Sequence, residues 1–88
     1  MEKELNLEEI KKRCEKASPG PWKAWVEGRD GTSGSTFIMV GEGEHRGEDI
    51  ELPGIAEADI DFMAHARQDI PALIKEIEML RSGYGNNK

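Results

Sequence analysis

The sequence predicts an α+β fold with an N-terminal helix, a small antiparallel sheet of two or three strands, and a C-terminal helical pair. Two observations predict it. Apolar residues recur at helical spacing near the start of the chain and again in its last third. The segment between them holds short β-rich runs separated by glycine-rich turns, which indicates strands joined by tight connections. Helices and strands are therefore segregated along the chain, as in an α+β domain.

The first helix is predicted to run from about Leu7 to Lys16. Asn6, followed three residues later by Glu9, resembles a capping box that satisfies the free N–H groups of a first helical turn. The helix has a narrow apolar stripe that includes Cys14. We interpret this cysteine as a small buried side chain, because no histidine or second cysteine lies nearby in the sequence to activate it.

A rigid elbow follows at Ser18–Trp22, where two prolines flank a glycine. The elbow positions Trp22, and Trp25 lies three residues further on. In a strand from Trp22 to Glu27 the two indoles point to opposite faces, so at most one of them faces the core. The other tryptophan is either an oligomer contact or a platform on which a base stacks, and the sequence leaves both open.

Two further segments complete the predicted sheet. Thr36–Val40 is the clearest strand, short and mostly apolar, and Ile50–Leu52 can add a third. Between them, residues 41–49 are polar and glycine-rich, and we expect a mobile loop. The Gly-x-Gly in this loop is only weakly similar to a phosphate loop, because no Lys-Ser or Lys-Thr pair follows it.

The C-terminal segment from Ala56 to Arg81 is predicted as two helices that meet at a corner. Pro71 disfavours helical backbone angles at the residue before it, so the first helix is expected to end near Arg67 or Gln68. Arg67 then has two interpretations: a cation favoured by the dipole at a helix C-terminus, or a contact to an anion in the corner. In the second helix one apolar stripe is expected to pack on the core, formed by Ile70, Leu73, Ile74, Ile77 and Leu80.

Two motifs carry a resemblance to known proteins. The motif SPGPW at Ser18–Trp22 and the segment ADIDFMAHARQDIPALIKEIEMLR at Ala58–Arg81 resemble small phage and prophage proteins called Ea22-like. The shared pattern in the second segment is F-(I/M)-A-x-A-R-x-D-(I/V)-P-x-L-(I/L), and Met63 takes the less usual choice at its position. Residues 23–53 are not covered. The resemblance extends to a family of tetrameric anti-CBASS proteins, and it implies a sponge that sequesters the cyclic nucleotide signals of bacterial antiviral immunity.

Composition and charge restrict the class of protein. The 88 residues form one small domain, with residues 1–4 and 82–88 expected to fray. A hydrophobic content of 36% is low for a monomer of this size, so a homo-oligomer, a dimer or a tetramer, is expected. A lone cysteine and the lack of a long apolar run predict a cytoplasmic protein, in the host cytoplasm if a phage encodes it, without a membrane partner. The net charge of −6 argues against binding to duplex nucleic acid.

Catalysis is not predicted. His45 and His65 lack the cysteine or carboxylate spacing of a metal site, and no nucleophile is paired with a base, so we expect no enzyme, no metal and no cofactor. A pocket with a few arginines can nevertheless bind a small anion, and aromatic rings can stack on a base. The candidate ligand-binding residues are Trp22, Arg67, Trp25, Lys23, Arg29, Arg46 and Phe37.

Two functions follow as hypotheses. The first, based on the resemblance, is a phage immune-evasion protein that sequesters a cyclic nucleotide, such as a cyclic dinucleotide. The alternative, favoured by the net charge, is an acidic interaction module or inhibitor that occupies a basic site of a host protein and has no small-molecule ligand.

Overall fold

A computed structural model describes residues 5–83, so the predictions for residues 1–4 and 84–88 lie outside the described residues. The chain is α+β, as predicted. The elements in order are α1 (Leu7–Lys16), β1 (Trp22–Trp25), β2 (Phe37–Val40), a short 3-10 turn (Gly43–His45), β3 (Ile50–Glu51) and α2 (Glu57–Arg81). No helix in the described range is long and apolar enough to cross a membrane.

Helix α1 begins and ends where its sequence signals place it. The backbone N–H of Glu9 donates to Asn6 Oδ1 at 3.1 Å, which satisfies one of the free donors of the first turn. The helix ends at Lys16 because Ala17 adopts an extended conformation, and the prolines of the elbow follow directly.

The three strands form one antiparallel sheet in the order β1-β2-β3. Trp22 lies opposite Val40 and Trp25 lies opposite Phe37, so the two indoles are on opposite faces, as the strand period requires. Trp22 packs against the core, which contains the buried side chain of Ile38. The remaining β1 and β2 side chains on the face of Trp25 are Lys23, Phe37 and Met39.

Helix α2 covers the core face of the sheet. Ile60 and Ala64 are buried against the sheet. Ile74, nearly three helical turns after Ala64, is buried too. Helix α1 packs along the same side of α2, where Lys11 Nζ lies 3.0 Å from Glu78 Oε2. The N-terminal half of α2 is therefore held by the sheet and its C-terminal half by α1.

The predicted corner between two C-terminal helices is wrong, because α2 continues without interruption from Glu57 to Arg81 with Pro71 inside it. A proline in a helix interior removes one backbone hydrogen bond and costs about 3 kcal/mol. Burial of Ile60 and Ala64 before Pro71, and of Ile74 after it, stabilises the continuous helix. Burial of a side chain the size of isoleucine contributes roughly 1.5–3 kcal/mol, so Ile60 before the proline and Ile74 after it together outweigh the local cost.

The predicted core stripe of the second helix is also wrong in most positions. Ile74 is buried, but Ile70, Leu73 and Leu80 are 40%, 60% and 54% exposed. The face of α2 that packs inside the subunit instead follows Ile60, Ala64 and Ile74. Helix α2 consequently has a second apolar face that nothing in the described chain covers.

The segment 41–49, predicted to be mobile, contains the 3-10 turn and two backbone hydrogen bonds to the sheet region. Gly41 N–H donates to Pro21 O at 2.9 Å and Gly47 N–H donates to Val40 O at 2.8 Å. These hydrogen bonds hold both ends of the segment close to the end of β2. The mobility of the segment stays a prediction.

Candidate functional site

A groove between α1 and α2 contains two of the predicted site residues. Trp22 and Arg67 both line it, and Arg13 of α1 adds a second cation. The groove has a volume of about 260 Å³. Its other lining residues are apolar or small: Ile10, Cys14, Ala17, Met63, Ala66 and Ile70. An aromatic ring, two guanidinium groups and apolar walls are thus combined in one concave surface.

Gln68 fixes the backbone of Trp22 on α2. Its Oε1 accepts the N–H of Trp22 at 2.8 Å, and its Nε2 donates to the carbonyl oxygens of Trp22 at 3.3 Å and Ala64 at 3.0 Å. The amide therefore pairs with the start of β1 much as a neighbouring strand would. Gly20 contributes by having no side chain, because a Cβ there would lie 3.3 Å from Gln68 Oε1.

Arg67 ties α2 to both the end of α1 and the elbow. Its Nε donates to Ser18 O at 2.9 Å and one terminal nitrogen donates to Cys14 O at 3.2 Å. Cys14 O is one of the last carbonyls of α1, which lack partners within their own helix. A guanidinium carries five N–H donors, so three remain unused in the described part of the chain. Because α2 continues to Arg81, the interpretation of Arg67 as a cation at the C-terminus of its own helix is wrong. The helix C-terminus that it contacts is that of α1.

Lys23, Trp25 and Phe37 come together on the other face of the sheet. The rings of Trp25 and Phe37 are nearly parallel, with centroids 6.5 Å apart and an interplanar angle of 16°. The Lys23 ammonium lies 4.6 Å from the centroid of the Trp25 ring, within the range of a cation–π contact. Lysine therefore already occupies a face of this indole, which makes it a poorer stacking platform than Trp22.

Arg29 lies in an acidic cluster away from the groove. Its two terminal nitrogens donate to the carboxylate of Asp61 at 2.9 and 3.1 Å, and its Nε donates to Asp30 at 3.0 Å. Glu57 lies 3.4 Å away. These bonds raise the pKa of Arg29 and, chiefly through the side-chain hydrogen bond from Arg29, lower the pKa values of Asp30 and Asp61. The cluster joins the turn after β1 to the first turns of α2.

Arg46 is likewise paired within its own segment. One terminal nitrogen donates to Gly47 O at 2.6 Å and another lies 3.0 Å from Asp49 Oδ1. The structure therefore brings Trp22 and Arg67 into one groove and Lys23, Trp25 and Phe37 onto the opposite sheet face. Arg29 and Arg46 join neither of these two groups.

Two residues of the groove region were missed by sequence reasoning. Arg13 is absent from the predicted ligand-binding residues, although it lies three residues after Ile10 and so borders the apolar stripe of α1. Gln68 had no distinguishing signal, because its role depends on a contact with Trp22, 46 residues away in the chain. Such a long-range backbone contact is not encoded by a local motif.

Other polar features of the described residues do not identify a second site. A wider depression of about 630 Å³ lies where the N-terminus of α1 meets the C-terminus of α2, but Glu8 and Glu78 oppose Arg81 there. The indole N–H groups of both Trp22 and Trp25 are buried without an acceptor in the described chain, so this property does not separate the two faces. No group of three or more His, Cys, Asp or Glu side chains within residues 5–83 is arranged to hold a metal ion.

Comparisons with protein-family models, with curated protein sequences and with solved structures gave no match to this chain.

Proposed function

We propose that the protein binds and sequesters a cyclic nucleotide signal without catalysis, as a phage immune-evasion protein acting in the host cytoplasm. A cyclic dinucleotide is the favoured ligand class. The observation that supports the proposal most is that Trp22 and Arg67, predicted as the stacking and phosphate-binding residues, line the same groove. The proposal also draws on the resemblance of the two motifs that supply these residues.

The chemistry of the groove suits a base and a phosphate. The face of an indole contributes about 1–3 kcal/mol when a base stacks on it. The guanidinium of Arg67 is held by Ser18 O and Cys14 O, so little side-chain freedom is lost when its remaining donors bind a phosphate. Arg13 lies on the facing helix and brings a second positive charge to the same opening. These residues together form the proposed nucleotide site.

The size of the groove favours a site completed by a second subunit. Its volume of about 260 Å³ is below the roughly 300–1,000 Å³ of pockets that enclose whole drug-sized ligands. It suits one base with an adjoining phosphate. A cyclic dinucleotide has two such halves related by a two-fold axis, so a homo-oligomer, a dimer or a tetramer, would present one groove to each half.

Arg13 is the residue that best tests the proposed site. The side chain of Trp22 also packs against the core, and Arg67 donates to the carbonyls of Ser18 and Cys14, so their replacement would change stability and binding together. Arg13 is exposed, and none of its side-chain atoms bonds to a described residue. Its neighbour Lys12 is also exposed and cationic but does not line the groove, which makes it the matched control.

We expect Arg13→Gln to raise the Kd for a cyclic dinucleotide by about 10- to 150-fold, because a hydrogen bond to a charged group contributes about 1.5–3 kcal/mol. Lys12→Gln should change the Kd little. Isothermal titration calorimetry on both variants and the wild type measures the effect, and circular dichroism checks that the fold is retained. Equal Kd changes in the two variants would place the ligand outside the groove. No binding to the wild type would favour the acidic interaction module.

A further inference from the structure

The uncovered side of α2 carries a continuous apolar stripe. Its residues are spaced alternately three and four apart, and we call them the α2 seam: Met63, Ala66, Ile70, Leu73, Ile77 and Leu80. The exposure of its larger side chains reaches 60% at Leu73. At about 1.5 Å per residue the seam is about 25 Å long. A stripe of this length and composition is not expected to face water in a stable protein.

The seam is separate from the face by which α2 packs inside its own subunit. That inner face contains Ile60, Ala64 and Ile74, all at most 5% exposed. A helix that is apolar on two faces is normally covered on both. The subunit is also extended, with a radius of gyration of 16.4 Å against about 12 Å for a compact domain of this length. Residues 5–83 of the subunit therefore leave Ile70, Leu73 and Leu80 on the second face of α2 largely uncovered.

The spacing and the residue types of the seam point to a second helix of the same kind. An average spacing of 3.5 residues keeps an apolar seam facing a partner helix in a left-handed two-helix contact. Ile70 and Ile77 occupy the first apolar position of each seven-residue repeat, and Leu73 and Leu80 occupy the second. Among parallel coiled coils, isoleucine at the first position with leucine at the second favours assemblies of two helices over those of three or four.

The charges beside the seam favour the same orientation. In a parallel pair, the residue that immediately precedes the first apolar position of a repeat lies near a residue of the partner helix whose number is higher by five. Glu76 would then face Arg81 of the second copy, and the reverse contact would form as well. An antiparallel pair would instead place the acidic edge formed by Asp69 and Glu76 against its own counterpart, where like charges repel.

We infer that two copies of this chain pair in parallel through the α2 seam, about a two-fold axis along the helices. Each copy buries Ile70, Leu73, Ile77 and Leu80 against the same residues of the other. Helix α1 lies beside the first half of the seam, where Met63, Ala66 and Ile70 line the groove between the two helices. Leu73, Ile77 and Leu80, in the second half, do not line that groove. This inference does not depend on nucleotide binding.

Leu73→Glu tests the seam, and Met79→Glu is the matched control. Both residues are exposed apolar side chains of α2, at 60% and 46%, but only Leu73 belongs to the seam. Substitution of a hot-spot residue at the centre of an interface costs about 2 kcal/mol or more, and Leu73→Glu also places a charge there in both copies, so it should raise the dimer Kd by about 30-fold or more. Met79→Glu should leave it within a few-fold. Sedimentation velocity across a concentration series measures both values.

A monomeric wild type at about 10 µM, well above the Kd of a stable interface, would overturn the inference. Equal Kd changes in the two variants would also overturn it, because the interface would then lie elsewhere. Circular dichroism distinguishes dissociation from unfolding in either variant.

A cysteine cross-link tests the parallel orientation without disturbing the fold. In a background with Cys14→Ala, Leu80→Cys should form an intermolecular disulfide under mild oxidation, because the two copies of this position meet in a parallel pair. In an antiparallel pair the position would lie near Met63 of the other copy, about 25 Å away from its own counterpart. Lys75→Cys, which lies off the seam, is the control for random collision. Cross-linking at equal yield in both variants would contradict the parallel arrangement.

Discussion

Arg67 and Gln68 show how two adjacent side chains of one helix hold three segments together. Arg67 donates to carbonyls at the end of α1 and in the elbow, while Gln68 bonds both backbone groups of Trp22. A buried backbone group without a partner costs about 1–3 kcal/mol. These residues therefore stabilise the elbow and, by the same contacts, set the position of Trp22 at the proposed nucleotide site.

The hydrogen bonds of Arg29 make the unfolding free energy of the protein depend on pH in the acid range. Its hydrogen bonds lower the pKa values of Asp61 and Asp30 in the folded state, and the N–H of Val26 lowers the latter further. A carboxyl whose pKa is lower when folded stabilises the protein above its unfolded pKa of about 3.9 and loses that contribution as the pH falls through the folded value. We expect Arg29→Gln to flatten the loss of stability as the pH falls below about 4.

Urea unfolding midpoints at several pH values measure this dependence. Lys75→Gln is the control, because it removes the same charge from an exposed residue that makes no ion pair among the described side chains. Its pH profile should run parallel to that of the wild type. A parallel profile for Arg29→Gln as well would show that the acidic cluster does not contribute to folding.

At the scale of the element, alanine substitutions on the two faces of α2 are expected to have different effects on stability, even at neighbouring positions. Ile74 is 5% exposed on the inner face and Leu73 is 60% exposed on the seam. Ile74→Ala should lower the unfolding free energy of the subunit by about 2–5 kcal/mol, because it leaves a cavity. Leu73→Ala should act on dimer formation, so its effect on the melting temperature should depend on protein concentration.

Thermal unfolding at two protein concentrations separates these effects. At high dilution, where the subunits are dissociated, Leu73→Ala should differ little from the wild type and Ile74→Ala should remain destabilised. Equal destabilisation of the diluted subunit by both substitutions would mean that the inner face of α2 is misassigned.

The elements that the sequence predicted are those whose signals are local. Asn6 caps α1 through a residue three positions away, and the alternation of side chains in β1 places its two tryptophans on opposite faces. The end of the helix at Arg67 or Gln68 was predicted from Pro71, which is also a local signal. It was wrong because contacts with the sheet and with α1, distant in the chain, outweigh the cost of one proline.

The candidate site was predictable to the same extent. Trp22 follows directly from a motif that constrains its backbone, whereas its position in the same groove as Arg67 was not predicted. Arg29 and Arg46 were included only because of their charge. In the folded chain Arg29 pairs with Asp61 and Arg46 pairs with Asp49. The first pair could not be predicted from a local pattern, because Asp61 lies far along the chain from Arg29.

At the scale of the whole molecule, an acidic chain carries its proposed anion site in a groove with two arginines. The net charge of −6 slows the approach of an anionic ligand over long range. Close to Arg13 and Arg67 the local cations dominate, because screening at physiological salt limits charge effects to about 8 Å. Pairing through the α2 seam would bring two grooves into one assembly, since Met63, Ala66 and Ile70 belong both to the groove lining and to the seam.

The most direct test of sequestration is calorimetric titration of the wild-type protein with a panel of cyclic dinucleotides and cyclic trinucleotides. The account predicts that at least one of them binds with a Kd well below about 100 µM, the level above which a signal is not effectively sequestered. It also predicts that this ligand is recovered chemically unchanged from the complex. If no member of the panel binds more tightly than about 100 µM, the nucleotide proposal is contradicted and an acidic interaction module becomes the better account.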